Sequence, residues 1–131
     1  MTETDAVLAT NLDFYRAFTN QDLEAMDGLW AKRAMVLCTH PGWTPLSGRI
    51  AVMASWHDIL SHPEAPAVMC HDDQAFLYGE VAIVLCEEEL PGGRLAATNI
   101  FLKEDGHWRM VHHHASPILV GETEPSSRRL N

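Results

Sequence analysis

A chain of 131 residues and 14.6 kDa is long enough for one domain with a real core, and 47% hydrophobic residues exclude a disordered polymer. Eighteen acidic residues against nine basic ones leave a formal charge of −9. That balance excludes the basic face that nucleic acid or an anionic membrane surface requires, so neither is expected as a partner.

Residues 5–19, DAVLATNLDFYRAFT, place Leu8, Leu12, Tyr15 and Phe18 at three- and four-residue spacing, which predicts an amphipathic helix. Asn20 to Asp22 interrupts it, and LEAMDGLW reads as a second, short helix. RAMVLCTH is apolar and β-branched enough for a strand, closed by Pro41-Gly42 and the loop PGWTPLSG. RIAVMASWHDIL restores a helical period through Val52, Met53, Trp56, Ile59 and Leu60. From about Ala65 the pattern turns to strands: APAVMCHDDQAFLYG, EVAIVLCEEEL, RLAATNIFLKE and HWRMVHHHA, with PGG and Asp105-Gly106 as hairpin turns. The expected organisation is a single domain over 1–131, with its core at about 6–120 and a loose polar tail at 121–131. Helices followed by an antiparallel meander predict the α+β class, with a small-molecule cavity between helices and sheet.

The three cysteines, Cys38, Cys70 and Cys86, are odd in number, lack CxxC spacing and sit in apolar runs. They read as small buried hydrophobes in a reducing compartment. The opening MTETDAVLAT is acidic and lacks the apolar region of a secretory signal, and no apolar run approaches the ~18 residues of a membrane span. A cytoplasmic location is the expectation.

Several strings carry a resemblance: FYRAFTNQDLEAM, CTHPGWTPLSGR with SW following, ATNIFLKEDGHW and WRMVHHHASP. Together they resemble the SnoaL-like branch of the nuclear-transport-factor-2-like, or ketosteroid-isomerase-like, superfamily. The resemblance implies a cystatin-like conical α+β fold, with a curved antiparallel sheet wrapped on three N-terminal helices. It also implies a pocket at the open end of the cone and a homodimer formed through the outer sheet face. It does not imply one function, because the superfamily hosts isomerases, dehydratases, cyclases, epoxide hydrolases and non-catalytic members.

The resemblance also assigns faces to the last strand. Val111, His113 and Ala115 are expected to point into the pocket, and His112 and His114 outward with Trp108 and Met110. Those two apolar side chains then motivate the dimer. Adjacent strand residues face opposite ways, so the three histidines cannot all ligate one ion. His112 and His114 form at most half a metal site, with His71 and Asp72 as further ligands only if their strand is adjacent. No metal is expected, and no cofactor, since GxGxxG, P-loop and HExxH motifs are absent.

The isomerase's basic aspartate maps to Cys38 without a gap or to His40 by its following proline, so no carboxylate stands there. His40 has an unperturbed pKa of ~6.5, suited to a base near neutrality. The isomerase's second acid maps to Asn99 or Thr98, and Asn99 offers an amide donor to an oxyanion. The helix-1 tyrosine of that oxyanion hole aligns best with Phe14, with Tyr15 beside it. Glu87 lies nearest the place of a pocket arginine in kinase-association relatives, although Glu87, Glu88 and Glu89 also read as a solvated strand end. Trp43 and Trp56 are apolar bulk near the mouth.

The expected catalytic set is therefore His40, Asn99 and His113, lined by Phe14, Tyr15, Cys38, Trp43, Trp56, Glu87 and Phe101. Two function classes stay open. One is an isomerase, dehydratase or cyclase acting by acid/base chemistry on a small apolar or carbonyl-containing molecule. The other is a non-catalytic dimeric binding or scaffolding domain.

Overall fold

The computed structural model describes residues 1–119, so the expectation about the tail at 121–131 lies outside the described residues. Its elements are α1 (Glu3–Thr19), α2 (Leu23–Leu29), β1 (Leu37–Thr39), β2 (Leu46–Ser47), α3 (Arg49–Ser61), β3 (Met69–Tyr78), β4 (Val81–Leu90), β5 (Gly93–Glu104) and β6 (His107–Pro117). Three helices lie against a curved six-stranded sheet of order β2-β1-β6-β5-β4-β3. Every pairing is antiparallel except β1 with β6, which is parallel. The two-residue strand β2 falls inside the stretch read from sequence as loop, too short to show a period of two. Among the described residues no helix is long and apolar enough to cross a membrane.

The helix α1 begins at a capping box. Thr2 Oγ1 accepts the Asp5 N–H at 3.0 Å, and the Asp5 carboxylate accepts the Thr2 N–H at 3.1 Å. Its buried stripe is Val7, Asn11, Phe14 and Tyr15, whereas Leu12, expected on the apolar face, is 44% exposed. The stripe is thus rotated by about one residue and carries a polar Asn, which the site explains below. Asp22 caps α2, and the Arg49 guanidinium at the start of α3 donates to the carbonyls of Asp27, Trp30 and Ala31 at the end of α2. A cation there offsets the partial negative charge of a helix C-terminus.

The Asp-Gly turn forms as read: Asp105 and Gly106 both have positive φ (52° and 79°), the geometry a two-residue hairpin requires. The residue assignment of β6 needs correction. Ile100 pairs with His112, but Phe101 pairs with Met110, so Val111 is an extra residue, a β-bulge. Below the bulge the alternation restarts. Trp108 and Met110 are buried on the inner face with His113 and Ala115, rather than outward as expected, and Val111 is only half-buried. The dimer argument that rested on Trp108 and Met110 therefore falls.

The β5–β6 hairpin is tied to the α2–β1 connection by one carboxylate. Glu104 accepts the N–H groups of Lys32 (2.9 Å), Arg33 and Ala34 (both 3.0 Å). Those backbone donors, Lys32 foremost, hold its carboxyl below the ordinary value of 4.5. Glu104→Ala leaves three N–H groups without their acceptor and is expected to cost about 2 kcal/mol in urea unfolding, with Glu104→Gln costing less. Because the folded pKa lies below the unfolded one, this contribution is present above pH 4.5. It fades as pH falls through the folded value, so the gap between wild type and Glu104→Ala should narrow on acidification.

Candidate active site

Strand pairing places Asn99 of β5 directly opposite His113 of β6, both on the inner face. His113 Nδ1 lies 2.5 Å from Asn99 Oδ1. The Asn99 amide nitrogen donates to Asn11 Oδ1 (2.8 Å) and to the Tyr15 hydroxyl (3.1 Å), which fixes its oxygen toward His113. His113 must then carry its proton on Nδ1, leaving a lone pair on Nε2. That nitrogen faces Glu88 Oε2 at 3.7 Å, and the same oxygen accepts the Tyr15 hydroxyl at 2.7 Å. Asn11, Tyr15, Glu88, Asn99 and His113 are all buried, in a network reaching across α1, β4, β5 and β6.

Burial pushes Glu88 up from 4.5 to about 7, against the lowering effect of the Tyr15 hydrogen bond. Burial pushes His113 down to about 3, with further lowering from the neighbouring His40. Both shifts favour neutral groups, so below about pH 7 the pair holds one exchangeable proton, on Glu88, beside a bare imidazole nitrogen.

His40 follows β1 and is buried beside Cys38, whose sulfur is 3.5 Å from its Nε2. Ser55 of α3 donates to the Val52 carbonyl at 2.6 Å, so its oxygen accepts from His40 Nε2 at 2.8 Å. The His40 proton therefore sits on Nε2, and the lone pair on Nδ1 has the Cys38 thiol as its neighbour at 4.0 Å. Burial lowers His40 to about 4, not the ~6.5 of a free imidazole. Burial, then the Glu88 charge, raises the Cys38 thiol to about 12, so it is no nucleophile near neutrality.

Aromatic rings fill the space between these groups. The Trp56 ring stands 4.8 Å from His40 and 5.9 Å from His113, and Phe14 stands 4.9 Å from His113. Phe101 is also fully buried. Trp56 Nε1 is buried without a hydrogen-bond partner. Trp43, 45% exposed, places its ring 4.9 Å from His40 and also lines a surface cavity of about 310 Å³ with Ile59, His62, Ala65 and Pro66.

The structure thus brings His40, Cys38, Asn99, His113, Phe14, Tyr15, Trp56 and Phe101 together, with Trp43 at the rim. It does not bring Glu87. That side chain lies on the outer face, 3.1 Å from Arg94, and Glu88 is the inward carboxylate, 2% exposed. The alternation Ala82, Val84, Cys86, Glu88 carried the signal, and the charge of the run masked it. Asn11 was marked only by its place in the helix stripe, and Ser55 by nothing local. Strand β3 is separated from β6 by β4 and β5, so His71 and Asp72 do not join His112 and His114. Among the described residues no three His, Cys, Asp or Glu side chains are grouped to hold a metal.

The sequence profile of the SnoaL-like domain matches residues 7–120. The chain belongs to the SnoaL-like domain family. Its fold is the cystatin-like one. A candidate dehydratase of the NTF2-like family from Streptomyces avermitilis is 32% identical, with a TM-score of 0.82, covering 90% of this chain and 97% of that one. A candidate calcium/calmodulin-dependent protein kinase type II association domain from Thiobacillus denitrificans is 31% identical, with a TM-score of 0.76, covering 85% and 94%. The F-box protein SKIP8 of Arabidopsis thaliana is 28% identical over 123 residues. Those residues are 92% of this SnoaL-like chain and 53% of SKIP8, so the chain spans about half the length of that relative.

The raised Glu88 carboxyl has a consequence for stability. Its contribution is complete below the unfolded value of 4.5 and declines as pH rises through about 7, because the unfolded chain releases that proton first. Between pH 5 and 8 wild type should lose about 3 kcal/mol from this group, a decline that Glu88→Gln abolishes. Urea unfolding of both proteins across that range measures the difference.

Proposed function

We propose that this SnoaL-like domain binds a small carbonyl compound and moves a proton on it, as an isomerase, dehydratase or cyclase does. One observation carries the reading: inside a buried polar cluster, one donor has no partner and one acceptor has only a long contact with a thiol, at 4.0 Å. The donor is the Trp56 Nε1–H and the acceptor is the His40 Nδ1 lone pair, on rings 4.8 Å apart. A carbonyl oxygen accepting from Trp56, with the adjacent acidic C–H directed at His40, matches that pair. A buried donor without a partner costs free energy, and sites hold such groups where a ligand completes them.

In this reading His40 is the base. Trp56 stabilises the developing oxyanion, and the proton on Glu88 beside His113 supplies the return step. Asn99, whose two amide hydrogens are both committed, positions His113 and Tyr15 instead of serving as the oxyanion donor. Trp43 is the gate between His40 and the outer cavity. The candidate dehydratase from Streptomyces avermitilis supports the choice of class.

The test needs no known substrate. A panel of cyclic and linear ketones is incubated with the protein in D2O, and C–H to C–D exchange beside the carbonyl is followed by NMR. Exchange is expected with at least one ketone, lost in His40→Gln and slowed by about 10²–10³-fold in Trp56→Phe. Since only the neutral imidazole accepts a proton and only the protonated carboxyl returns one, the rate should fall as pH drops toward about 4 and as it rises past about 7. Ketones that shift the His113 resonances without exchange would instead identify a binding module.

A second observation bears on assembly. The outer sheet face carries the row Leu37, His112, Ile100, Ile83 and Phe76, and beside it Thr39, His114, Thr98, Leu85 and Gln74. Leu37 and Phe76 are 42% exposed and Leu85 is 45% exposed. We infer that two copies pair through this face, in either function class; the similarity to a kinase association domain supports the inference. Light scattering should give twice the chain mass for wild type and the single mass for Leu85→Glu.

A further inference from the structure

Cys70 and Cys86 are neighbours on the inner face of the β3–β4 ribbon. Cys70 pairs with Glu88, and Cys86 lies two residues earlier on the same face of β4, which makes the two cysteines diagonal partners. The Asn11 amide lies 3.7 Å from the Cys70 sulfur, the Tyr15 hydroxyl lies 3.2 Å from the Cys86 sulfur, and each thiol shifts the proton affinity of the other. Cys38, on β1, is separated from β4 by β6 and β5.

We propose that Cys70 and Cys86 are a dithiol oxidation site, which a small hydroperoxide converts to an intrachain disulfide. Access and an irregular edge strand both support it. Cys70 is half-buried rather than sealed, unlike Cys86 and Cys38. Strand β3 is the outer strand of the sheet, and its register with β4 breaks between His71 and Gln74, where Asp72 has a φ of 56°. A disulfide needs Cβ atoms about 3.5–4.5 Å apart, closer than diagonal partners usually stand. The register break beside Cys70 bends the strand and increases its twist, so the spacing of regular diagonal partners does not hold there.

The chemistry balances within the pair and the oxidant. Loss of the Cys86 thiol proton leaves a thiolate beside the Tyr15 hydroxyl, while Cys70 keeps its proton. The thiolate attacks a peroxide oxygen, the O–O bond breaks, and the leaving oxygen takes up a proton as water or alcohol. The resulting sulfenic acid is attacked by the second sulfur, which loses its proton as the S–O bond breaks and water leaves. Two thiols are oxidised by two electrons, and the peroxide is reduced by the same two. Tyr15 touches both Cys86 and Glu88, so the disulfide also alters the hydrogen bonding of the proton-holding carboxyl.

Intact mass and peptide mapping test this on the native full chain, independently of the proposed carbonyl chemistry. The protein is treated with hydrogen peroxide, then denatured and alkylated. Wild type is expected to lose two hydrogens, to yield a Cys70–Cys86 linked peptide with Cys38 alkylated, and to revert with dithiothreitol. In Cys70→Ser the linked peptide should be absent and Cys86 should carry added oxygen or alkyl. Oxygen added to Cys70 or Cys86 of wild type without a link would overturn the proposal. So would a link to Cys38 or to a second chain, or full alkylation of both cysteines after treatment. The mapping of wild type decides the matter even if a variant fails to fold.

Discussion

Val111 stands opposite no residue of β5, and that unpaired position lets β6 present Trp108 and Met110 on the same side of the sheet as His113 and Ala115. A strict two-residue alternation through His113 would have turned the first two outward. With the bulge, one strand closes the apolar base of the core at its beginning and delivers an imidazole to the polar cluster further on. The parallel partner β1 then brings Cys38 opposite His113, which sets His40 one step beyond. Both histidines of the site thus depend on where β6 places its extra residue.

The polar cluster above that base has an unusual energetic standing. Burying a carboxyl, two amides, a phenol and an imidazole costs desolvation several times over, and the hydrogen bonds among them offset that cost only if nearly every group is matched. Here the matching is close to complete. Asn99 uses its oxygen and both amide hydrogens, Tyr15 both accepts and donates, and Ser55 relays His40 to a backbone carbonyl. An apolar set of the same volume would serve stability as well or better. What the polar set adds is a carboxyl that ionises near neutrality beside an imidazole that stays neutral, two groups whose surroundings push their protonation apart. The same separation of proton affinities is what acid/base work requires.

Much of the fold was legible because local signals agreed with each other. The helical periods, the Asp105-Gly106 turn and four strand-like runs place three helices and the long meander without reference to tertiary contact. His113 was placed inward by the resemblance, and its burial agrees. Trp108 and Met110 were not legible, because the bulge falls at a β-branched valine with no glycine or proline to mark it. Glu88 could have been read from the alternation that begins at Ala82, but a run of three glutamates argues for solvent unless a partner is known. That partner is Tyr15, 73 positions away, a contact that no local pattern carries. The site was therefore visible as residue types and hidden as pairings. His40 and Asn99 were named, while the tautomer of one and the spent donors of the other depend on Ser55, Asn11 and Tyr15.

Tyr15 links the two proposed chemistries through its single proton. Its hydroxyl donates to Glu88 and lies beside Cys86, and burial together with the nearby Glu88 charge raises its own pKa far beyond the working range. The phenol is therefore always a donor and never a phenolate, and it has one hydrogen to give. While Glu88 is ionised, that hydrogen stabilises the carboxylate and is withheld from a Cys86 thiolate. Once Glu88 takes up a proton, the demand on the hydroxyl relaxes and the sulfur can compete for it. Electrostatics pull the same way, since the Glu88 charge opposes a thiolate on Cys86. Protonation of the carboxyl and ionisation of the thiol thus favour each other across one hydroxyl group. In this arrangement the protonation of Glu88 and that of Cys86 are tied through one hydroxyl, with no moving part larger than an O–H bond.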